Sequence, residues 1–134
     1  MQLNEPQFKK TGGKSIGKKR IYIVDDDASV CRALKLLLDA YEFQVETFSS
    51  VEDFFSAVPD SVPGCLILDI YMPGLNGWDA LQRLYRSGSR RPVVAISAYK
   101  TAGLRELVLK SGVASFLQKP VNDQELVSFL KKMY

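Results

Sequence analysis

The chain has 134 residues, 46% of them apolar and 25% charged, which suits one globular domain with a core that needs no disulfide or metal staple. It has no histidine, so Ser-His-Asp and Cys-His catalysis, zinc fingers and phosphohistidine carriers are excluded. The net charge of +3 is uneven: residues 1–20 hold six basic groups and one acid (net +5), and the remainder is net −2. Residues 1–19 also lack apolar periodicity and include Thr11-Gly12-Gly13, so they read as a flexible basic tail that could touch nucleic acid or an anionic surface, or simply be solvated. The two cysteines, Cys31 and Cys65, cannot form a disulfide framework or a four-thiolate site and lie in apolar stretches, where buried inert thiols are expected. No apolar run approaches the ~20 residues of a membrane span and no secretory leader is visible, so a cytoplasmic location without membrane contact is expected.

From residue 20 the pattern alternates. Ile21-Tyr22-Ile23-Val24 is an apolar run that stops at Asp25, and Val30, Ala33, Leu34, Leu37 and Tyr41 then recur at helical spacing, with Asp27 as a candidate N-cap. Residues 43–48 alternate apolar and polar, as an edge strand does. Ser49 with Glu52 forms a capping-box signal for a second helix carrying Val51, Phe54, Phe55 and Val58. Cys65 to Leu68 is a second continuous run, ending at Asp69 before a loop with Pro73-Gly74 and Asn76-Gly77. A helix with Trp78, Leu81, Leu84 and Tyr85 follows, and Gly88 suits its C′ position. Residues 92–96 form a third run ending at Ser97. A weaker helix spans about 102–111, and a last strand over 113–118 ends at Lys119-Pro120. The final helix opens at Asn122 and repeats Leu126, Phe129, Leu130 and Met133.

Five strands alternating with five helices predict a doubly wound α/β fold: a flavodoxin-like parallel sheet, covered on both faces, in the order 2-1-3-4-5. In such a sheet the ligand site lies beyond the C-terminal strand ends. Those ends deliver Asp25, Asp26 and Asp27, then Asp69, Ser97 and Lys119. Clustered carboxylates repel by ~4 kcal/mol per pair at 4 Å and an effective dielectric of ~20, so they either take up protons or gather a cation. Oxygen donors without imidazole or thiolate suit Mg²⁺, which leaves coordination positions for a phosphate oxygen. Lys119 and Ser97 are the groups to bind the other phosphate oxygens, and Asp69 on a central strand is the carboxylate best placed to accept a phosphoryl group.

Taken together, Ile23-Val24-Asp25-Asp26-Asp27, Leu68-Asp69-Ile70-Tyr71-Met72-Pro73-Gly74 with Gly77, Ser97-Ala98 and Lys119-Pro120 resemble the response-regulator receiver domains of bacterial two-component signalling, over about residues 20–134. The resemblance implies that Asp69 accepts a phosphoryl group from a sensor histidine kinase or phosphotransfer protein. It implies that Asp25, Asp26, Asp69 and the backbone carbonyl of Tyr71 hold Mg²⁺, and that Ser97 and Lys119 bind the phosphoryl oxygens. It further implies that Phe116 is the aromatic partner of Ser97 in the switch, that the bond to Pro120 is cis, and that output runs through the last two helices and strand 5, which include Leu104, Leu107, Val108, Phe129 and Met133. Such a chain is a regulatory phosphoacceptor rather than an enzyme with turnover, and it can form a homodimer on phosphorylation. Phe116 departs from the tyrosine found in many relatives, so burial alone must drive its movement. Tyr71 and Tyr99 each lie two positions past a key residue, where the family's side chains flank the path of attacking water, so they are expected to lengthen the phosphoryl lifetime.

Residues 21–30 are similar to receivers of transcription factors with a LuxR-type helix-turn-helix. No such element follows Tyr134, so the expectation is a stand-alone receiver or one domain of a longer regulator, with DNA reached only through an output domain outside this chain. Two other readings differ in class. A haloacid-dehalogenase-like phosphatase also uses a strand-end D-x-D, but it needs a later acidic metal pair, and only Asp123 and Glu125 follow Lys119. A receiver-like module could instead bind partners without phosphorylation, which the complete acidic set argues against.

Overall fold

The computed structural model describes residues 19–71 and 77–133. The expected tail, except Lys19, and the loop residues Pro73-Gly74 and Asn76 lie outside the described residues. Among the described residues, strands and helices alternate throughout: β1 (Arg20–Val24), α1 (Ala28–Ala40), β2 (Gln44–Phe48), α2 (Val51–Ala57), β3 (Cys65–Asp69), α3 (Gly77–Arg86), β4 (Val93–Ser97), α4 (Leu104–Lys110), β5 (Ser115–Gln118) and α5 (Asp123–Met133). The five strands form one parallel sheet in the order β2-β1-β3-β4-β5, the predicted topology.

The period-two geometry of a strand sorts each apolar run onto two faces. On one face Tyr22, Val24, Leu66, Leu68 and Ala95 pack with Phe54 of α2, Leu81 and Leu84 of α3, and Val108 of α4. On the other, Ile21, Ile23, Ile67 and Ile96 pack with Leu34 and Leu38 of α1 and Leu126 and Leu130 of α5. Every residue of β3 and β4 is buried, as both-faced coverage requires, whereas β2 is half exposed at the edge. Both cysteines are free and buried; burial pushes the Cys65 thiol up to about 12 and leaves it inert.

Three local expectations are corrected. The inward stripe of α1 is Cys31, Leu34 and Leu38, so Ala33 and Tyr41 face outward; Tyr41 is the C-cap and its ring lies under the Lys131 ammonium at 4.9 Å. The second helix is capped by Ser50, whose hydroxyl accepts from Asp53 N at 3.1 Å, rather than by Ser49 with Glu52. The last strand begins at Ser115 rather than Val113. No helix among the described residues is long and apolar enough to cross a membrane.

Candidate functional site

Because all five strands run in parallel, their C-terminal ends share one rim, and the polar residues that terminate the apolar runs meet there. Asp25 follows β1. Its backbone N–H donates to Phe48 O (3.1 Å), its Oδ1 accepts from Asp27 N (2.9 Å), and its Oδ2 lies 2.8 Å from Lys119 Nζ. Asp69 ends β3, accepts from Tyr71 N at Oδ1 (3.1 Å) and meets Lys119 Nζ at Oδ2 (3.1 Å). Lys119 therefore bridges two carboxyl groups that are 1% and 4% exposed. Asp26 is exposed, yet one carboxylate oxygen from each of Asp25, Asp26 and Asp69 falls within 4.8 Å of the others. Asp27 is turned away as the α1 cap, accepting from Ser29 Oγ, Ser29 N and Val30 N; the Ser29 hydroxyl and these N–H groups hold its carboxyl below the usual range.

Burial pushes the Asp69 carboxyl above its ordinary pKa. The Tyr71 N–H pulls back, the charge of Asp25 adds to the rise and Lys119 opposes it. For Lys119 burial favours the neutral amine, but its bonds to Asp25 and Asp69 outweigh this and hold it above the usual lysine value. The pocket thus keeps its ammonium charged and leaves the Asp69 carboxylate under-compensated, the condition in which a second cation is stabilising.

Ser97 ends β4 and is fully buried; its Oγ accepts from Tyr99 N at 3.0 Å, so in this state the hydroxyl is engaged with its own loop. Lys119-Pro120 is a cis peptide. The Phe116 ring is buried in the core at 3% exposure, so it occupies an inward position here. Tyr71 and Tyr99 stand at the rim, half exposed, with their rings edge to face at 4.7 Å. Gly77 brings α3 against the end of β3 so closely that a Cβ there would overlap the Asp69 carbonyl oxygen. Asp123 and Glu125, which a dehalogenase-type phosphatase would need as metal ligands, are exposed in the first turn of α5, where Asn122 Oδ1 accepts from Glu125 N.

Two side chains that sequence reasoning missed also reach this region. Gln118 Nε2 donates to Ser97 O at 2.8 Å, a carbonyl that also accepts from Lys119 N at 2.8 Å. Arg105 of α4 donates to Phe116 O at 2.9 Å. The only sequence signal for Gln118 was a polar residue at the end of an apolar strand, and Arg105, in helix α4, had none.

The donor set is all oxygen and clustered at strand ends, with a lysine and a hydroxyl beside it. That chemistry fits a hard divalent cation and a phosphoryl group. A doubly wound sheet with this pocket at its carboxyl rim defines a class of α/β proteins with an acidic strand-end site. Comparison with known proteins narrows the class: the chain belongs to the response regulator receiver domain family, which it matches over residues 21–131. It is 36% identical over 121 residues to the transcriptional regulatory protein TdiR of Thauera aromatica, covering 90% of this chain and 52% of TdiR. It is 33% identical over 114 residues to the transcriptional regulatory protein FixJ of Bradyrhizobium diazoefficiens, covering 85% of this chain and 56% of FixJ. The chain therefore spans about half the length of these relatives. Among solved structures it superposes on a response regulator receiver protein from Burkholderia phymatum with a TM-score of 0.70 and 40% identity, covering 87% of this chain and 92% of that one. Receiver domains are regulatory, and they generally bind Mg²⁺ at an acidic pocket of this kind.

Proposed function

We propose that this chain is a phosphorylatable switch in which Asp69 accepts a phosphoryl group from the phosphohistidine of a sensor kinase or phosphotransfer protein. The observation that carries this reading is the partly buried Lys119 ammonium joining the buried Asp69 and Asp25 within a cluster of three carboxylates. A carboxylate oxygen of Asp69 attacks phosphorus, an acyl phosphate O–P bond forms, and the P–N bond breaks with the imidazole leaving. Asp25, Asp26, Asp69 and the Tyr71 carbonyl are the groups to hold Mg²⁺, which when bound neutralises charge on the transferring phosphoryl oxygens. Lys119 exchanges its bond to Asp69 for one to a phosphoryl oxygen, and Ser97 turns its hydroxyl to another. A groove of about 340 Å³, with Val30, Ala33, Leu34, Pro120 and Val121 as its apolar lining and Ser29, Lys119 and Asp123 as its polar lining, offers a seat for the donor protein.

Phosphorylation adds charge and acceptor oxygens that Ser97 and Lys119 can satisfy in only one arrangement of their loops, and this difference biases a two-state equilibrium. Shifting such an equilibrium from 1:99 to 99:1 takes ~5.5 kcal/mol, within reach of a few charge-assisted bonds in a partly dry site. The output surface is the α4–β5–α5 face, where Leu107 stands 55% exposed while Leu104 and Val108 are buried. The test is intact mass after incubation with Mg²⁺ and a small-molecule phosphodonor. A gain of one phosphoryl group, absent in Asp69→Asn and absent without Mg²⁺, is expected. A folded wild type that gains nothing would overturn the reading and leave a receiver fold that acts by binding alone.

A further inference from the structure

The bonds made by Gln118 and Arg105 cross between elements in opposite directions. Gln118 reaches from β5 to the last carbonyl of β4 (2.8 Å), and Arg105 reaches from α4 back to the β5 carbonyl of Phe116 (2.9 Å). With the backbone from Ser97 through α4, they close a ring that contains Ser97, α4, Phe116 and Lys119. Ser97 O is saturated, since it accepts from both Gln118 Nε2 and Lys119 N. The backbone of Ser97 therefore cannot shift without breaking these bonds or carrying the end of β5 with it.

Helix α4 is otherwise lightly held. It has seven residues, buries only Leu104 and Val108, and opens at Gly103 in a left-handed conformation (φ 82°) with no side-chain cap. A short, uncapped helix with two buried side chains has little to fix its position, so a bond from its second residue to the neighbouring strand is a large part of its attachment. The sequence between the two tethered points, residues 98–103, is exposed. Helix α4 is thus joined to β5 by one defined side-chain hydrogen bond beside its two buried residues, and the end of β5 is joined to Ser97 by the Gln118 bond beside the strand ladder.

We infer that Arg105 and Gln118 are positioning residues that carry the state of Ser97 to α4 and β5. This inference rests on the proposed role of Asp69 as acceptor. Neither residue touches the reacting atoms. When Ser97 moves to bond a phosphoryl oxygen, Gln118 pulls the end of β5 with it, and Arg105 makes α4 follow Phe116.

The experiment is hydrogen exchange by mass spectrometry on the full chain, with and without Mg²⁺ and a small-molecule phosphodonor, read on the phosphorylated fraction. It compares wild type, Arg105→Met, Gln118→Met and Arg105→Lys. In wild type, phosphorylation is expected to change exchange over residues 104–118. In Arg105→Met and Gln118→Met that phosphorylation-linked change is expected to shrink about fivefold, the effect of one lost hydrogen bond on a two-state balance. Arg105→Lys, which keeps a donor, should restore much of it. The inference is overturned if both donorless variants show the full wild-type change. It is also overturned if they only lower the melting temperature and leave the phosphorylation-linked difference intact, the behaviour of purely structural bonds. A wild type that takes up no phosphoryl group would instead refute the reading of Asp69, and the coupling would fall with it.

Discussion

Replacing Lys119 with methionine tests whether the pocket is held by one ammonium shared between two buried carboxylates. Nζ lies 2.8 Å from Asp25 Oδ2 and 3.1 Å from Asp69 Oδ2. At an effective dielectric of ~20 each contact has a gross attraction of ~5–6 kcal/mol, and the cost of taking the three groups out of water cancels much of it. Methionine fills similar space but leaves both carboxylates without a counter-charge, so the expected loss near pH 7 is ~3–5 kcal/mol, the cost of breaking a buried pair from one side. The deficit should shrink in acid. Burial already raises the Asp69 carboxyl, and Lys119 is one of the groups that oppose the rise. Without it the folded-state pKa climbs further above the unfolded value. The folded variant then binds a proton that the unfolded chain does not, and its stability grows as pH falls through that raised pKa. Wild type gains less over the same window, because protonating Asp69 also removes its attraction to Lys119. Urea titrations near pH 7 and near pH 5 give both numbers. A loss below ~1 kcal/mol near pH 7, typical of an exposed pair, or a deficit unchanged between the two conditions, would refute the reasoning.

Gly77→Ala places a methyl group on the Asp69 carbonyl oxygen, against backbone that cannot rotate away, so urea denaturation should show a loss of about 3 kcal/mol or more. Ser50→Ala removes the hydroxyl that caps α2 through Asp53 N and should cost ~1 kcal/mol by the same measurement, whereas Ser49→Ala should cost little. Tyr71→Ala and Tyr99→Ala each break the edge-to-face pair at the rim and open the site to water. An aromatic contact of this kind is worth ~0.5–1.5 kcal/mol, so the phosphoryl group on Asp69 should decay about two- to tenfold faster in either variant, followed by intact mass over time. Decay at the wild-type rate in both would remove the tyrosines from any role in lifetime.

The parts of the molecule that could be read from sequence are those fixed by chain-local pattern and topology. Runs such as Cys65–Leu68 can be satisfied only between two covered faces, and a parallel sheet has one rim where such runs end, so Asp25, Asp69, Ser97 and Lys119 had to converge. Helix phase was less determined. Leucines at 34, 36, 37 and 38 surround α1 so fully that two inward stripes fit the pattern, and packing against Ile67 and Leu126 selects Cys31, Leu34 and Leu38. Ser49 and Ser50 are each followed three residues later by an acid, and only the backbone turn shows which one caps. Arg105 and Gln118 were beyond reach because their partners are backbone carbonyls, which every residue has.

The same topology explains why the site is acidic beyond its own three aspartates. Crossover connections place helix N-termini at the rim where the strands end. The first turns there carry Glu52 and Asp53, Asp79, Glu106, and Asp123 and Glu125, while the last turns at the opposite pole carry Arg83 and Arg86, Lys110, and Lys131 and Lys132. Each of these choices stabilises its own helix through the macrodipole. The negative charge they add at the rim favours a divalent cation and disfavours a phosphate-bearing donor, against the partial offset of the helix N-termini, of Arg105 in α4 and of Lys119. Under the proposed function these two effects have one consequence: phosphoryl acceptance depends on a cation, because the charges that favour the helices also oppose the substrate. Lys119, ion-paired with both Asp25 and Asp69, supplies only part of the compensation.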